Sequence, residues 1–314
     1  MMQPANPYGA PVPQQGLVRR ENPYLPRSLT RRTLPLLQLL YLFIFGPALI
    51  ITFAAMLDVS AVFGVLLAVA VLANVAVLLL TMIPILIAMS GLRGKYPAAI
   101  MGNTQAVLPG AHSALRWVFR GDVRLSAYYL IGLTAEARGD FADAAEAFQC
   151  ALRAMPMGNL AVTRRRVCGL AASHLAFCLA GARRPEEAHH ALVQAQSYLM
   201  MGPGAFDFME PLNAGFTTLG SVEPGRDPRA MAALAGVTTA FANGAQRDAL
   251  DIITREGQAL SYGVLPRERA LVLALERKTR ALLDGAGPMR GAAELATSPG
   301  NDDEAWAARY LSGS

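Results

Sequence analysis

The sequence predicts an all-α protein in which a two-helix transmembrane hairpin precedes a domain of soluble helical hairpins. Of its 314 residues 53% are hydrophobic and only 16% are charged, whereas an average soluble chain carries about 25% charged residues. The deficit is local, because Asp58 is the only charged residue between Leu34 and Ser90. Beyond about Leu125 the chain becomes alanine-rich and amphipathic, as in soluble helices.

The apolar block predicts two membrane spans, residues 34–57 and 61–89, joined by a turn at Asp58–Ser60. Each exceeds the ~20 residues that cross a hydrocarbon core, so the second span must tilt or protrude. Two alternatives are weaker. A secretory signal peptide has a shorter apolar run with a cleavage site after it, and a pair of buried helices in a soluble core needs more partner surface than this chain supplies.

Positive charge on both flanks of the block predicts that both termini are cytoplasmic, as in a bacterial-type inner-membrane protein. The loop between the spans has no basic residue. The flanks carry Arg19, Arg20, Arg27, Arg31 and Arg32 before the first span, and Arg93, Lys95, Arg116 and Arg120 after the second.

Few polar or small residues interrupt the spans, and these are the candidate hairpin contacts. We expect Gln38 and Thr81 to lie at similar depth and to share a hydrogen bond. Gly64 and Ala68 form a small-xxx-small pair that favours close helix approach, either within the hairpin or in a homo-oligomer. Asn74 is expected to need a partner outside the hairpin.

The amino-terminal tail, residues 1–33, contains six prolines and is predicted to be disordered and cytoplasmic. It contains Asn-Pro-Tyr at Asn6–Tyr8 and again at Asn22–Tyr24. The repeated motif indicates either a docking peptide or a turn-prone low-complexity tail. Residues 91–124, after the spans, are predicted to be a linker with a short helix.

Residues 125–156 have the pattern of two antiparallel helices that cross closely. Small residues stand where the helices meet, large ones fill the surrounding gap, a glycine permits the turn and a proline ends the second helix. The residues of this pattern are Gly132, Gly139, Phe141, Ala144, Phe148, Ala151 and Pro156, with Tyr128 and Ile131 in the first helix. With these residues at these spacings, the stretch resembles one tetratricopeptide (TPR) repeat.

Two later stretches resemble degenerate copies, so residues 125–284 are predicted to form a TPR-like α-solenoid. The second copy has Arg183 at the turn glycine, whereas the third keeps Gly244. Residues 201–228 are predicted to be an irregular connection, and about Arg267–Leu283 a capping helix. The tail, residues 285–314, is predicted to hold a short helix that starts at Asn301 or Asp302.

The resemblance implies a protein-binding groove lined by the first helix of each hairpin. Its mixed aromatic and apolar character favours an amphipathic helix or an extended peptide over the carboxylate clamp of chaperone-binding repeats. The predicted lining residues are Tyr129, Leu133 and Glu136 in the first hairpin and Leu170, Ser173 and Phe177 in the second. For the apolar ones, the alternative is burial by neighbouring helices.

No catalytic motif, metal-ligand spacing or cofactor fingerprint occurs in the sequence. Cys150, Cys168 and Cys178 lack CxxC spacing, and the adjacent His189 and His190 point in different directions on a helix. The net charge of +5 is concentrated beside the membrane block, which argues against a nucleic-acid partner. We therefore expect no enzyme activity, no metal and no cofactor.

The sequence thus favours an inner-membrane-anchored, TPR-like adaptor that recruits a cytoplasmic protein partner. Its other expected partner is the lipid bilayer. An alternative is a structural subunit of a membrane transport or secretion complex, in which the hairpin itself makes the essential contacts through Gly64 and Asn74. An enzyme with a site that the sequence does not reveal is a third alternative.

Overall fold

The computed structural model describes residues 21–26, 87, 90–117, 121–154, 162–200, 227–283 and 302–312. Regular structure in these ranges is helical, with no strand. None of their helices combines the length and the apolar character that a membrane crossing requires. The predicted spans 34–57 and 61–89 lie outside the described residues, apart from Ile87.

The helices follow one another as short antiparallel pairs. Their bounds are α1 Tyr96–Ile100, α2 Thr104–Trp117, α3 Gly121–Arg138, α4 Phe141–Ala154, α5 Val162–Gly181, α6 Pro185–Met200, α7 Pro228–Ala242, α8 Gln246–Arg255, α9 Gly257–Tyr262, α10 Pro266–Leu283 and α11 Asp302–Ser312. The pairs α3/α4, α5/α6 and α7/α8 form three hairpins, and α10 covers the residues predicted for the capping helix.

The three hairpins turn in the same way. Gly139, Arg183 and Gly244 have φ angles of 85°, 59° and 77°, the left-handed conformation that ends many helices. In each turn that residue's N–H bonds to the carbonyl three residues back, and the next N–H bonds to the carbonyl five residues back. Arg183 therefore adopts the glycine conformation despite its side chain, at a cost of about 1 kcal/mol.

The first hairpin closes around a glycine. A Cβ on Gly132 would lie 2.8 Å from the ring of Phe148, so only glycine fits this crossing without a shift. Ala144 and Ala151 of α4 are fully buried, as the small-residue pattern predicts. Successive hairpins stack through α4 on α5 and α5 on α7, and α8 packs on α10.

Residues 91–117 do not form the predicted linker. Helices α1 and α2 pack against α3, and Ala99, Val107 and Ala111 are fully buried there. The prediction of a linker with a short helix for residues 91–124 does not anticipate this packing, because short runs of alanine and valine give weak periodicity, whereas contact with α3 decides their burial.

Residues 21–26 of the tail are ordered, which corrects the prediction of disorder for that part of residues 1–33. Asn22 donates to the Asp143 carbonyl at 3.0 Å, and the Tyr24 hydroxyl donates to the Asp140 carboxylate. The Tyr24 carbonyl lies 2.7 Å from Nε2 of His112. The second Asn-Pro-Tyr motif is thus docked on α2 and α4, and the first lies outside the described residues.

Candidate functional site

The carboxyl-terminal helix α11 lies against the turn end of the first two hairpins. The residues beneath it are Glu136 at the end of α3, Phe141 at the start of α4, and Phe177 and Gly181 at the end of α5. We name these four residues the aromatic cleft. Helix α10 packs on the opposite flank of α11.

Trp306 is the larger of two aromatic side chains that α11 places in the cleft. It is 2% exposed, and its ring stacks on Phe177 with centroids 6.0 Å apart and meets Phe141 edge-on at 5.7 Å. Its Nε1–H donates to the main-chain carbonyl of Glu136 at 3.1 Å. The apolar part of the indole is therefore buried against aromatic rings, and its polar N–H has a hydrogen-bond acceptor.

Tyr310 follows Trp306 by one helical turn and enters the same cleft. Its ring stacks on Phe177 at 4.6 Å and meets Phe141 edge-on at 4.8 Å. Its hydroxyl donates to the Phe177 carbonyl at 2.7 Å. Burial raises the pKa of Tyr310 well above its ordinary value, against the opposing effect of a hydrogen bond with Thr238, so the phenol stays neutral and remains a donor.

Gly181 makes room for this second aromatic ring. A Cβ at this position would lie 2.7 Å from Cε2 of Tyr310 and 3.1 Å from Cγ of Phe141. At the rim, Arg183 donates to the Leu311 carbonyl at 2.6 Å and Arg309 donates to the Arg138 carbonyl at 3.2 Å. The lack of a side chain at Gly181, at the bottom of the aromatic cleft, and the two arginines at its rim therefore fix the position of α11.

The flank formed by α10 is basic, and the first turn of α11 is acidic. Arg269 and Arg277 line a small concavity together with Asp303 and Glu304 of α11. The Arg267 guanidinium lies over the Trp306 ring, 5.3 Å from its centroid. Within the part of the chain that the structure describes, Nε and Nη2 of Arg267 are buried without a hydrogen-bond partner, although Nη1 donates to the Ile100 carbonyl.

A buried polar cluster lies between α3 and α5, close to the cleft. Nδ1 of His174 is 2.7 Å from Oε2 of Glu136, and Cys178 Sγ donates to the same oxygen at 3.6 Å. All three side chains are fully buried, and the His174 ring stacks on Phe148. Imidazole and thiol both contact the carboxylate, so the cluster joins two helices.

All six predicted groove residues are buried beneath neighbouring helices. Tyr129, Leu133, Leu170 and Ser173 are between 0% and 5% exposed, so they belong to the hairpin core rather than to an accessible surface. Glu136 and Phe177 are also buried, but each contributes a carbonyl to α11. The prediction that these six residues line an accessible groove is therefore wrong, because neighbouring helices of the same chain cover them.

Sequence reasoning missed Trp306, Tyr310, Phe141 and Gly181 as site residues. The signal was the i, i+4 aromatic pair in the last helix, which places two large apolar groups on one face. The predicted hairpin contacts Gln38, Gly64, Ala68, Asn74 and Thr81 lie outside the described residues. In the described ranges, no group of three or more acidic, histidine or cysteine side chains could hold a metal ion.

A second concavity of about 680 Å³ lies between α6, α7 and α8. Leu192, Ala233 and Ile252 line its apolar part, and Met200 and Asp227 bound it. Residues 201–226, which connect those two boundary residues, lie outside the described ranges. We therefore assign no ligand to this second concavity.

Comparisons with known proteins do not assign this chain to a family. The sequence matches no family model, and no curated protein sequence and no solved structure is significantly similar to it.

Proposed function

We propose that this chain is a membrane-anchored, TPR-like adaptor that recruits a cytoplasmic protein by binding one of its helices in the aromatic cleft. One observation carries the proposal: the cleft already holds an amphipathic helix, α11, through two aromatic side chains one turn apart. Recognition of a helix in an apolar groove by anchors at i and i+4 is a recurrent mode of protein binding.

The repetition of the hairpins supports the TPR-like part of the proposal. Three consecutive hairpins share one turn geometry at Gly139, Arg183 and Gly244. Each hairpin contacts its neighbours in the chain, as in helical-repeat proteins that present extended binding surfaces. Glycine or alanine occupies the close crossings of the first hairpin.

The docked tail supports the anchor. Residues 21–26 precede the apolar block and contact α2 and α4, which follow it. The segments before and after residues 34–89 are therefore on the same side of any membrane that these residues cross. This arrangement requires an even number of crossings. A two-span hairpin satisfies that requirement, and anchoring raises the effective concentration of the cleft near a membrane-associated partner.

Site-specific photo-cross-linking of the full chain in native membranes tests the proposal. The photoreactive side chain is placed at Arg183, at the cleft rim, and in a matched variant at Val193, which is 51% exposed on α6. We expect one protein to be captured at Arg183 and not at Val193. An excess of a peptide with the sequence of residues 302–312 should abolish that capture.

Capture at both positions, or capture at Arg183 that the peptide does not reduce, would show that the cleft is not the recruiting surface. Exchange of residues 34–90 for an unrelated transmembrane hairpin separates the adaptor from the complex subunit. An adaptor keeps its cross-link after the exchange, since the anchor only fixes its location. A subunit that depends on Gly64 and Asn74 loses its assembly.

A further inference from the structure

We infer that α11 is a built-in occupant of the aromatic cleft, and that the partner is an acidic amphipathic helix that replaces it with an aromatic pair at i and i+4. The inference rests on the proposed function and adds the chemistry of the partner and the control of its access. The aromatic cleft of Glu136, Phe141, Phe177 and Gly181 is the surface concerned.

The aromatic pair is specified by the ends of two helices. The indole of Trp306 and the hydroxyl of Tyr310 donate to the carbonyls of Glu136 and Phe177, at 3.1 Å and 2.7 Å. Both acceptors are main-chain atoms near the carboxyl ends of α3 and α5, and the Glu136 carbonyl also accepts from the Gly139 N–H of the turn. A carbonyl oxygen has two lone pairs, so each can accept a further hydrogen bond from an aromatic side chain. The cleft therefore recognises two flat donors spaced by one turn, whatever chain carries them.

Charge on α10 specifies an acidic helix. Arg269 and Arg277 already face Asp303 and Glu304 across the small concavity. In addition, Nε and Nη2 of the Arg267 guanidinium, which lies over the Trp306 ring, are buried and have no hydrogen-bond partner among the described residues. A partner helix with a carboxylate in reach of these donors would satisfy groups that α11 leaves unpaired, which gives it an advantage over α11.

Tethering makes α11 the default occupant. Residues 284–301, 18 in number, join α10 to α11. Because α11 belongs to the same chain as the cleft, its effective concentration there is on the order of 1 mM. A free helix of equal intrinsic affinity therefore competes poorly until the tethered helix is weakened or the partner binds more tightly.

Fluorescence anisotropy of a labelled peptide tests the inference on the full chain in detergent micelles. The peptide has the sequence of residues 302–312. The proteins are the wild type, Trp306→Ala/Tyr310→Ala, and a control that carries Ala305→Gln on the exposed face of α11. We expect the double variant to bind the peptide at least about tenfold more tightly than the wild type and the control, because it lacks the tethered competitor.

Each outcome decides between the inference and the proposed function. Equal binding to the wild type and the double variant would overturn the closure by α11 while the cleft remains a helix site. Absence of binding to a double variant that keeps its helical circular dichroism would overturn both. Binding of a peptide that itself carries Trp306→Ala and Tyr310→Ala would overturn the aromatic recognition.

A second measurement keeps the test decisive if the double variant fails to fold. In a Trp117→Phe chain, Trp306 is the only tryptophan. An excess of a peptide that carries Trp306→Phe should displace α11 and shift the Trp306 emission to longer wavelength as the indole enters water. Emission that stays unchanged at saturating peptide would show that α11 is a fixed part of the fold.

Discussion

The two ends of the described chain pack on the same hairpin by different chemistry. Residues 21–26 attach to α4 through hydrogen bonds of Asn22 and Tyr24 to Asp143, Glu146 and Asp140. Helix α11 attaches through Trp306 and Tyr310, which are buried among aromatic rings. The amino-terminal contact buries one aromatic ring, Tyr24, among polar partners, whereas the carboxyl-terminal contact buries two aromatic rings among other aromatic rings.

This difference predicts different strength and different sensitivity to conditions. Burial of two aromatic side chains contributes several kcal/mol, whereas hydrogen bonds at a partly exposed surface contribute about 1 kcal/mol each. The carboxyl-terminal contact should therefore be stable to salt and pH, and the amino-terminal contact should respond to both.

Trp306→Ala should have the largest effect. It removes the indole from a closed aromatic site, which costs about 3–5 kcal/mol. Amide hydrogen exchange of residues 302–312 in the full chain measures the effect, with faster exchange expected throughout α11. Ala305→Gln, on the exposed face, is the control and should leave the exchange rates unchanged. Equal rates in all three proteins would mean that the indole does not hold the helix.

Glu136→Ala should destabilise the hairpins beneath α11 by about 1–3 kcal/mol, because it removes the carboxylate that hydrogen-bonds with the buried His174 ring. Chemical unfolding of the full chain, followed by circular dichroism, measures the loss. Glu136→Gln keeps a hydrogen-bond acceptor at the same place and should cost less. If the two substitutions were equally damaging, the contact with Nδ1 of His174 would have no special role.

Tyr24→Phe should cost about 1 kcal/mol in the attachment of residues 21–26, since it removes only the hydroxyl that donates to Asp140. Hydrogen exchange at residues 21–26 is the measurement, and exchange in α11 should not change. Tyr262→Phe is the matched control, because Tyr262 is 86% exposed. An effect on α11 would contradict the independence of the two contacts.

The amino-terminal contact should fail at high pH. Burial, together with the hydrogen bond to Asp140 and its negative charge, raises the pKa of Tyr24 from 10.0 to about 12. The contact is therefore fully present below about pH 10, weakens as the pH rises, and is lost through about pH 12. Phenolate absorbance of the wild type minus that of Tyr24→Phe gives this titration. A midpoint near 10 would mean that Tyr24 is not held by the carboxylate.

Much of the hairpin geometry could be predicted from local sequence. Gly132, Gly139 and Gly244 stand where a crossing or a left-handed turn requires glycine, so spacing alone locates them. Arg183 breaks the glycine pattern and still takes the left-handed conformation, since the two flanking helices fix the turn. Such features depend on neighbours within one hairpin and can therefore be predicted from the sequence.

The site was less predictable, because it depends on contacts between distant segments. Trp306 bonds to Glu136 across 170 residues, and Tyr24 bonds to Asp140 across 116. No local pattern indicates which surface a terminal helix covers. The sequence therefore predicts that Phe177 faces a partner, whereas it contacts α11. The same limit applies to residues 91–117, whose burial depends on α3.

The emission of Trp306 in the Trp117→Phe chain, recorded in membranes before and after addition of the protein captured at Arg183, tests the central claim most directly. If that protein takes the aromatic cleft, α11 must leave, and the emission will shift to longer wavelength in proportion to the partner bound. A partner that binds to saturation while Trp306 keeps its buried emission would contradict recruitment through the cleft.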